Sequence, residues 1–240
     1  MQWTVMQEGR FQACGETQRR LPPGGYSCSS DNCGKPLFQV RQLESDQLLQ
    51  VPGSLADEVI EEINRFWTIG ERYEQLGFLH RRGYLLYGKQ GGGKSSVIQQ
   101  VVSNTVAAGN VAFYCGHPYH FVNCLTQFRR VEPDRPLVCV FEDIDAIIKD
   151  FGDSLLLQWL DGNHQIGNAV NLASTNYPEK LEPRIVSRPR RFDRIVRIDA
   201  PCARLREAYL SVKLPEQNGA ERQHWVDRTD GFTFAALSEL

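Results

Sequence analysis

The chain has 240 residues, a formal net charge of -2, and 41% hydrophobic against 23% charged residues. That apolar share supports a packed core and excludes wholesale disorder, and no apolar run approaches the ~18 residues needed to span a bilayer. The near-even charge balance removes the broad electrostatic argument for nucleic acid, and at roughly 100–200 residues per domain the chain is one large domain, or one with a small appendage.

Seven cysteines, an odd number scattered partly through apolar runs, point to free thiols in a reducing, cytoplasmic setting. The N-terminus, MQWTVMQEGRF, lacks the basic-then-apolar layout of a secretion signal. Residues 1–50 carry the turn signals Leu21-Pro-Pro-Gly-Gly-Tyr26 and Asp31-Asn-Cys-Gly34 between short alternating stretches, which predicts a small β-rich N-terminal appendage. Its Cys14, Cys28 and Cys33 lack the paired spacing of a zinc ribbon, so a structural metal is not expected.

Ser54 followed by Asp57 reads as a helix cap, with Leu55, Val59, Ile63 and Phe66 at helical spacing behind it. A second helical stretch covers Glu71 to Leu76, and strands and helices then alternate. Strands are expected at 84–87, 111–115, 137–141, 169–174 and 195–198, and helices at 94–108, 121–129 and 154–160. This rhythm implies a mostly parallel sheet covered on both faces, a three-layer αβα arrangement over residues 54–200. From 201 to 240 the pattern is helical only, the start of a small lid.

Gly88-Lys-Gln-Gly-Gly-Gly-Lys94-Ser95 matches G-x-x-x-x-G-K-[ST] between an expected strand and an expected helix, the context this phosphate loop requires. Glycines let successive backbone N–H groups turn inward around a phosphate chain, and the helix that follows presents its positive end to the same anion. Gly88, Gly91, Gly92, Gly93, Lys94, Ser95 and Ser96 are the candidate phosphate-binding set, with Lys94 reaching the β- and γ-phosphates and Ser95 a Mg²⁺ ligand. Fifty residues on, the apolar run Leu137–Phe141 ends in Glu142-Asp143-Ile144-Asp145. By position Glu142 is the metal-side carboxylate and Asp143 the water-activating one, while Asp145 assists or caps the next helix.

With these motifs the sequence resembles an AAA-type ATPase of the AAA+ superfamily over residues 54–240. The resemblance rests on the phosphate loop and its lead-in, the acidic stretch, Trp159-Leu-Asp-Gly162 followed by Leu172-Ala-Ser-Thr-Asn176-Tyr-Pro178 and Leu181-Glu-Pro183, and Arg188-Pro-Arg-Arg191-Phe-Asp-Arg194. It implies that Asn176 orients water and reports the γ-phosphate, and that Arg188 and Arg191 act as fingers on a neighbouring subunit's nucleotide. It further implies a homo-oligomer, usually a hexameric ring, using ATP and Mg²⁺. The order Glu then Asp departs from the family's Asp then Glu; a similar swap occurs in the branch resembling the mitochondrial chaperone that translocates the Rieske iron–sulfur protein. Slow but real turnover is the expectation.

In place of the family's aromatic pore loop stand Tyr119, His120 and Phe121. A plainer reading makes Tyr119, Phe121, Leu125 and Phe128 a helix core face. Ala235 matches a small residue near the nucleotide, no second-sensor arginine follows, and a full lid would continue past Leu240, so the lid reads as truncated or reduced. The expected function is Mg²⁺-dependent ATP hydrolysis driving remodelling of a protein or complex, with residues 1–50 as adaptor and the client unnamed. Rival readings are a nucleotide-gated assembly module with little turnover, and a DNA-directed loader.

Overall fold

The computed structural model describes residues 2–5, 11–42, 54–161, 164–186 and 191–239. Two short strands, β1 (Gln2–Val5) and β2 (Phe11–Cys14), pair antiparallel as a two-stranded sheet. All the others join one sheet: β3 (Gly24–Ser30), β4 (Pro36–Arg41), β5 (Arg81–Tyr87), β6 (Val111–Tyr114), β7 (Leu137–Phe141), β8 (Ala169–Thr175) and β9 (Arg194–Arg197). The spatial order is β4-β3-β6-β7-β8-β5-β9, parallel throughout except for the β3–β4 hairpin.

This order revises the view of residues 1–50 as an appendage. They are β-rich where described, but β3 lies parallel against β6, with Gly24 opposite Val111 and Ser27 opposite Tyr114, so the hairpin widens the main sheet. Tyr26 is buried against Phe113, and the Glu132 carboxylate accepts from the Leu21 amide at 2.8 Å. Arg135, paired with Glu132, donates to the Leu21 carbonyl at 2.7 Å, so the stretch leading into β3 is tied to the body from both sides.

Strand alternation sorts side chains onto two apolar layers. Leu137, Cys139 and Phe141 of β7 face one side, against α4 (Pro118–Val131), α5 (Ile144–Phe151) and α6 (Ser154–Asp161). Val138 and Val140 face the other, against α1 (Leu55–Trp67) and α3 (Lys94–Ala107). The three-layer α/β expectation therefore holds. Ser54 caps α1 as expected, its side chain accepting from the Asp57 amide at 3.3 Å. Helix α5 follows the acidic stretch, where a helix assisted or capped by Asp145 is expected without a fixed range; Ile144, Ile147, Ile148 and Phe151 recur at helical spacing, Asp145 stands in its first turn and Gly152 ends it.

Helix α4 starts three residues earlier than expected because Pro118 takes its first turn and the His117 ring accepts from the Tyr119 amide. Phe121, Leu125 and Phe128 form its core face, whereas Tyr119 is 56% exposed. The remaining helices are α2 (Gly70–Gln75), α7 (Pro183–Val186), α8 (Ala203–Lys213), α9 (Gly219–Arg228) and α10 (Phe234–Leu237). Among the described residues no helix is long and apolar enough to cross a membrane.

Candidate functional site

The loop between β5 and α3 is shaped by glycine. Gly91 and Gly93 hold φ of 75° and 108°, a left-handed region in which side chains are strained. At Gly91 the packing adds a second constraint: a Cβ there would lie 2.7 Å from the Ala235 methyl. Ala235 thus sits against the loop, and its amide donates to the Gly91 carbonyl at 3.4 Å. Inside the loop Lys94 Nζ donates to the carbonyls of Gly88 and Lys89, both at 2.8 Å. Burial lowers the Lys94 pKa, and the Asp143 charge pulls the other way, so the ammonium faces an acid it does not touch.

β7 carries the acids to the same place. Asp143 stands at φ 47° and ψ 55°, a left-handed conformation that Asp tolerates better than most residues. Its amide donates to Ser174 Oγ and its carboxylate accepts from Asn176 Nδ2, each at 3.2 Å. These contacts fix the Asp143 carboxylate relative to the end of β8. Asp145 takes no part: its carboxylate accepts from Thr175 Oγ1 at 2.6 Å.

Glu142 lies deeper. Burial raises its carboxyl above the ordinary value, the Arg41 guanidinium holds it down, the Asp143 charge raises it, and a hydrogen bond with the Ser95 side chain lowers it.

A polar cavity of about 310 Å³ collects these groups: Gly91, Gly93, Lys94, Ser95 and Ser96 on one side, Asp143, Ser174 and Asn176 on the other. A second cavity, about 540 Å³ and mostly apolar, adjoins it through Gly93, Ser96 and Phe234. Ala56, Gly92, Ile198, Pro201, Leu205 and Tyr209 are among the residues lining it. One polar and one apolar chamber sharing a glycine wall suit a molecule with an anionic chain and a flat apolar base. The residues also fit a divalent cation, because the Ser95 hydroxyl lines the polar chamber and the Glu142 carboxylate directly precedes Asp143, which lines it too.

Of the residues singled out in the sequence, Gly91, Gly93, Lys94, Ser95, Ser96, Asp143 and Asn176 thus share one cavity. Gly92 lines the apolar chamber, and Gly88 packs under the Ile198 carbonyl, where a Cβ would clash at 2.1 Å. Ser174 and Phe234 also line the polar chamber. Each was visible only as part of a longer stretch, with no local pattern marking it. The lid end of the apolar chamber, at Tyr209 and Lys213, had no sequence signal at all.

Arg191 requires a correction. It does not reach outward: its side chain is 4% exposed and forms a two-pronged pair with Asp161, Nε to Oδ2 at 2.6 Å and Nη2 to Oδ1 at 3.1 Å. The backbone explains the inward turn. The Arg191 carbonyl crosses so close to Gly83 that a Cβ there would lie 2.1 Å away. The Gly83 and Asp193 main chains are hydrogen-bonded, and the Asp193 carboxylate accepts from the Gly83 amide at 2.7 Å. Arg188, the other expected finger, lies outside the described residues.

Residues 84–200 match the family model described as "ATPase family associated with various cellular activities (AAA)". The chain is 24% identical, over 99% of its length and 41% of the relative's, to an ATP-dependent zinc metalloprotease FtsH of Marinobacter nauticus. It is 28% identical, over 76% of the chain and 49% of the relative, to a probable 26S proteasome regulatory subunit 6B of Caenorhabditis elegans. A proteasome-activating nucleotidase of Methanocella arvoryzae shares 29% identity over 63% of the chain and 40% of its own length. The chain thus spans less than half the length of each of these relatives.

Proposed function

We propose that this chain, whose residues 84–200 match the AAA ATPase family model, hydrolyses ATP with Mg²⁺ in a homo-oligomeric ring and uses the cycle to remodel a protein or protein complex. The observation that carries this reading is a polar cavity to which three distant segments bring Lys94, Asp143 and Asn176.

In this reading the glycine loop and Lys94 bind the phosphates, and the apolar chamber takes the base. Ser95 and Glu142 hold the magnesium ion, which neutralises charge on the β- and γ-phosphate oxygens when bound. Asp143 accepts a proton from the attacking water. Asn176, already bonded to Asp143, keeps that carboxylate aimed and offers its amide to the phosphate. Asp143 is one methylene shorter than the glutamate usual in the family, so turnover is slow. Arg188 supplies the charge from a neighbouring subunit, because a guanidinium stays ionised and grips phosphate oxygens as a fork. A cytoplasmic setting agrees with the free thiols of Cys28, Cys33, Cys115, Cys124, Cys139 and Cys202.

Mixing tests the shared site. Arg188→Ala and Asp143→Asn proteins, each inactive alone, regain phosphate release when combined, because mixed interfaces pair an intact finger with an intact acid. Co-assembled mixtures with no recovery at any ratio would sink the ring reading. Tight ATP binding by the wild type with no turnover above Asp143→Asn would favour a nucleotide-gated assembly module.

A further inference from the structure

We propose that Arg41, the last residue of β4, is a positioning residue for Glu142, so that the β3–β4 hairpin helps set how firmly the nucleotide site holds its divalent cation. The inference rests on the reading of Glu142 as the metal-side carboxylate. It reaches beyond it to a residue outside the family-matched segment 84–200.

Arg41 crosses the face of the sheet. Its register partner on β3 is Gly25, which places no side chain beside it. The guanidinium carbon lies 4.1 Å from the centroid of the Tyr114 ring on β6, and Nη2 lies 3.4 Å from Glu142 Oε2. Tyr114 is buried and so offers a fixed platform, and the planar guanidinium on that ring is restrained before it meets the carboxylate.

The Arg41 side chain is 49% exposed, and such an ion pair adds little to stability. Its consequence is orientational. Arg41 Nη2 donates to Glu142 Oε2 from its place over the Tyr114 ring, and this contact favours one carboxylate orientation. A partner that orients a metal-holding carboxylate from outside the coordination sphere changes metal affinity when it is removed. By linkage, binding of the cation in turn favours the hairpin position that presents Arg41.

The full chain with ATP and Mn²⁺ as the probe cation tests this. Bound Mn²⁺ is counted by electron paramagnetic resonance, and the Mg²⁺ concentration for half-maximal phosphate release is measured alongside. Arg41→Ala and Arg41→Gln raise both half-saturation points by about tenfold. Arg41→Lys, which keeps a cation over Tyr114, recovers most of the loss, and nucleotide affinity in EDTA stays within about twofold of the wild type. In a Glu142→Gln background Arg41→Ala has no further effect on Mn²⁺ binding. Unchanged Mn²⁺ affinity in Arg41→Ala, or the same fold-change with and without Glu142, overturns the inference while leaving the ATPase reading intact. A wild-type chain that binds no nucleotide overturns both.

Discussion

Two cationic side chains flank the strands that carry this site, and the fold treats them in opposite ways. Lys94 is held at the mouth of a cavity by the carbonyls of its own loop, facing Asp143 without touching it. Arg191 is sunk into a two-pronged pair with Asp161 and lines neither of the two chambers. The difference lies in what sets each position. Lys94 is placed by glycine backbone geometry within six residues, so its motif carries its location. Arg191 is placed by where its main chain crosses Gly83, which no local pattern records. A lysine in a glycine loop has one available role; an arginine in a basic stretch takes whichever carboxylate the fold brings near.

The largest expected effect breaks the comparison at Lys94. Lys94→Ala removes a charge-assisted contact worth about 3 kcal/mol, or roughly a hundredfold in ATP affinity, and abolishes nucleotide-dependent thermal stabilisation. Its melting temperature without nucleotide stays at or slightly above that of the wild type, since a buried ammonium is lost. Unchanged ATP affinity by calorimetry would contradict the site.

Arg191→Ala has the reverse profile. It leaves Asp161 without its partner and costs about 3 kcal/mol, the low end for a buried pair because Asp161 keeps some contact with water. The melting temperature falls by roughly 6–12 °C. Asp161→Asn moves it in the same direction. A melting temperature equal to the wild type's in both variants would free Arg191 for the trans role the sequence suggested.

The smallest effect concerns Glu142. Burial raises its folded carboxyl value, so the folded chain binds that proton more tightly than the unfolded one. The resulting cost to stability is absent below the ordinary value near 4.5 and sets in as pH rises through the folded value. Glu142→Gln therefore gains about 1–2 °C in melting temperature at neutral pH, and the gain fades on acidification below that ordinary value. A lower melting temperature at pH 7 would mean that the contacts to Arg41 and Ser95 outweigh burial.

Much of the fold was legible because its signals are local. Leu137–Phe141 reads as a buried strand from five apolar residues in a row, and the acids after it mark its end. Asn176 needed more: an asparagine at a strand end is ordinary, and only the order of neighbouring motifs singled it out. The β3–β4 hairpin was misplaced because Gly-Gly-Tyr-Ser-Cys-Ser-Ser has little apolar alternation, and its partner strand β6 begins some 80 residues later. Parallel pairing over that distance leaves no trace in either strand alone.

By itself, then, the sequence determined the elements and the groups whose position follows from their own backbone: the glycine loop with Lys94 and Ser95, and the acids that end β7. Each is decided within one turn or one strand, where torsional preference and side-chain alternation act. The tertiary structure alone decided the long-range partners: Asp161 for Arg191, Asn176 for Asp143, and Arg41 for Glu142. Such pairings depend on sheet order and on where two main chains cross, and electrostatic attraction then selects among the charges that the crossing brings together.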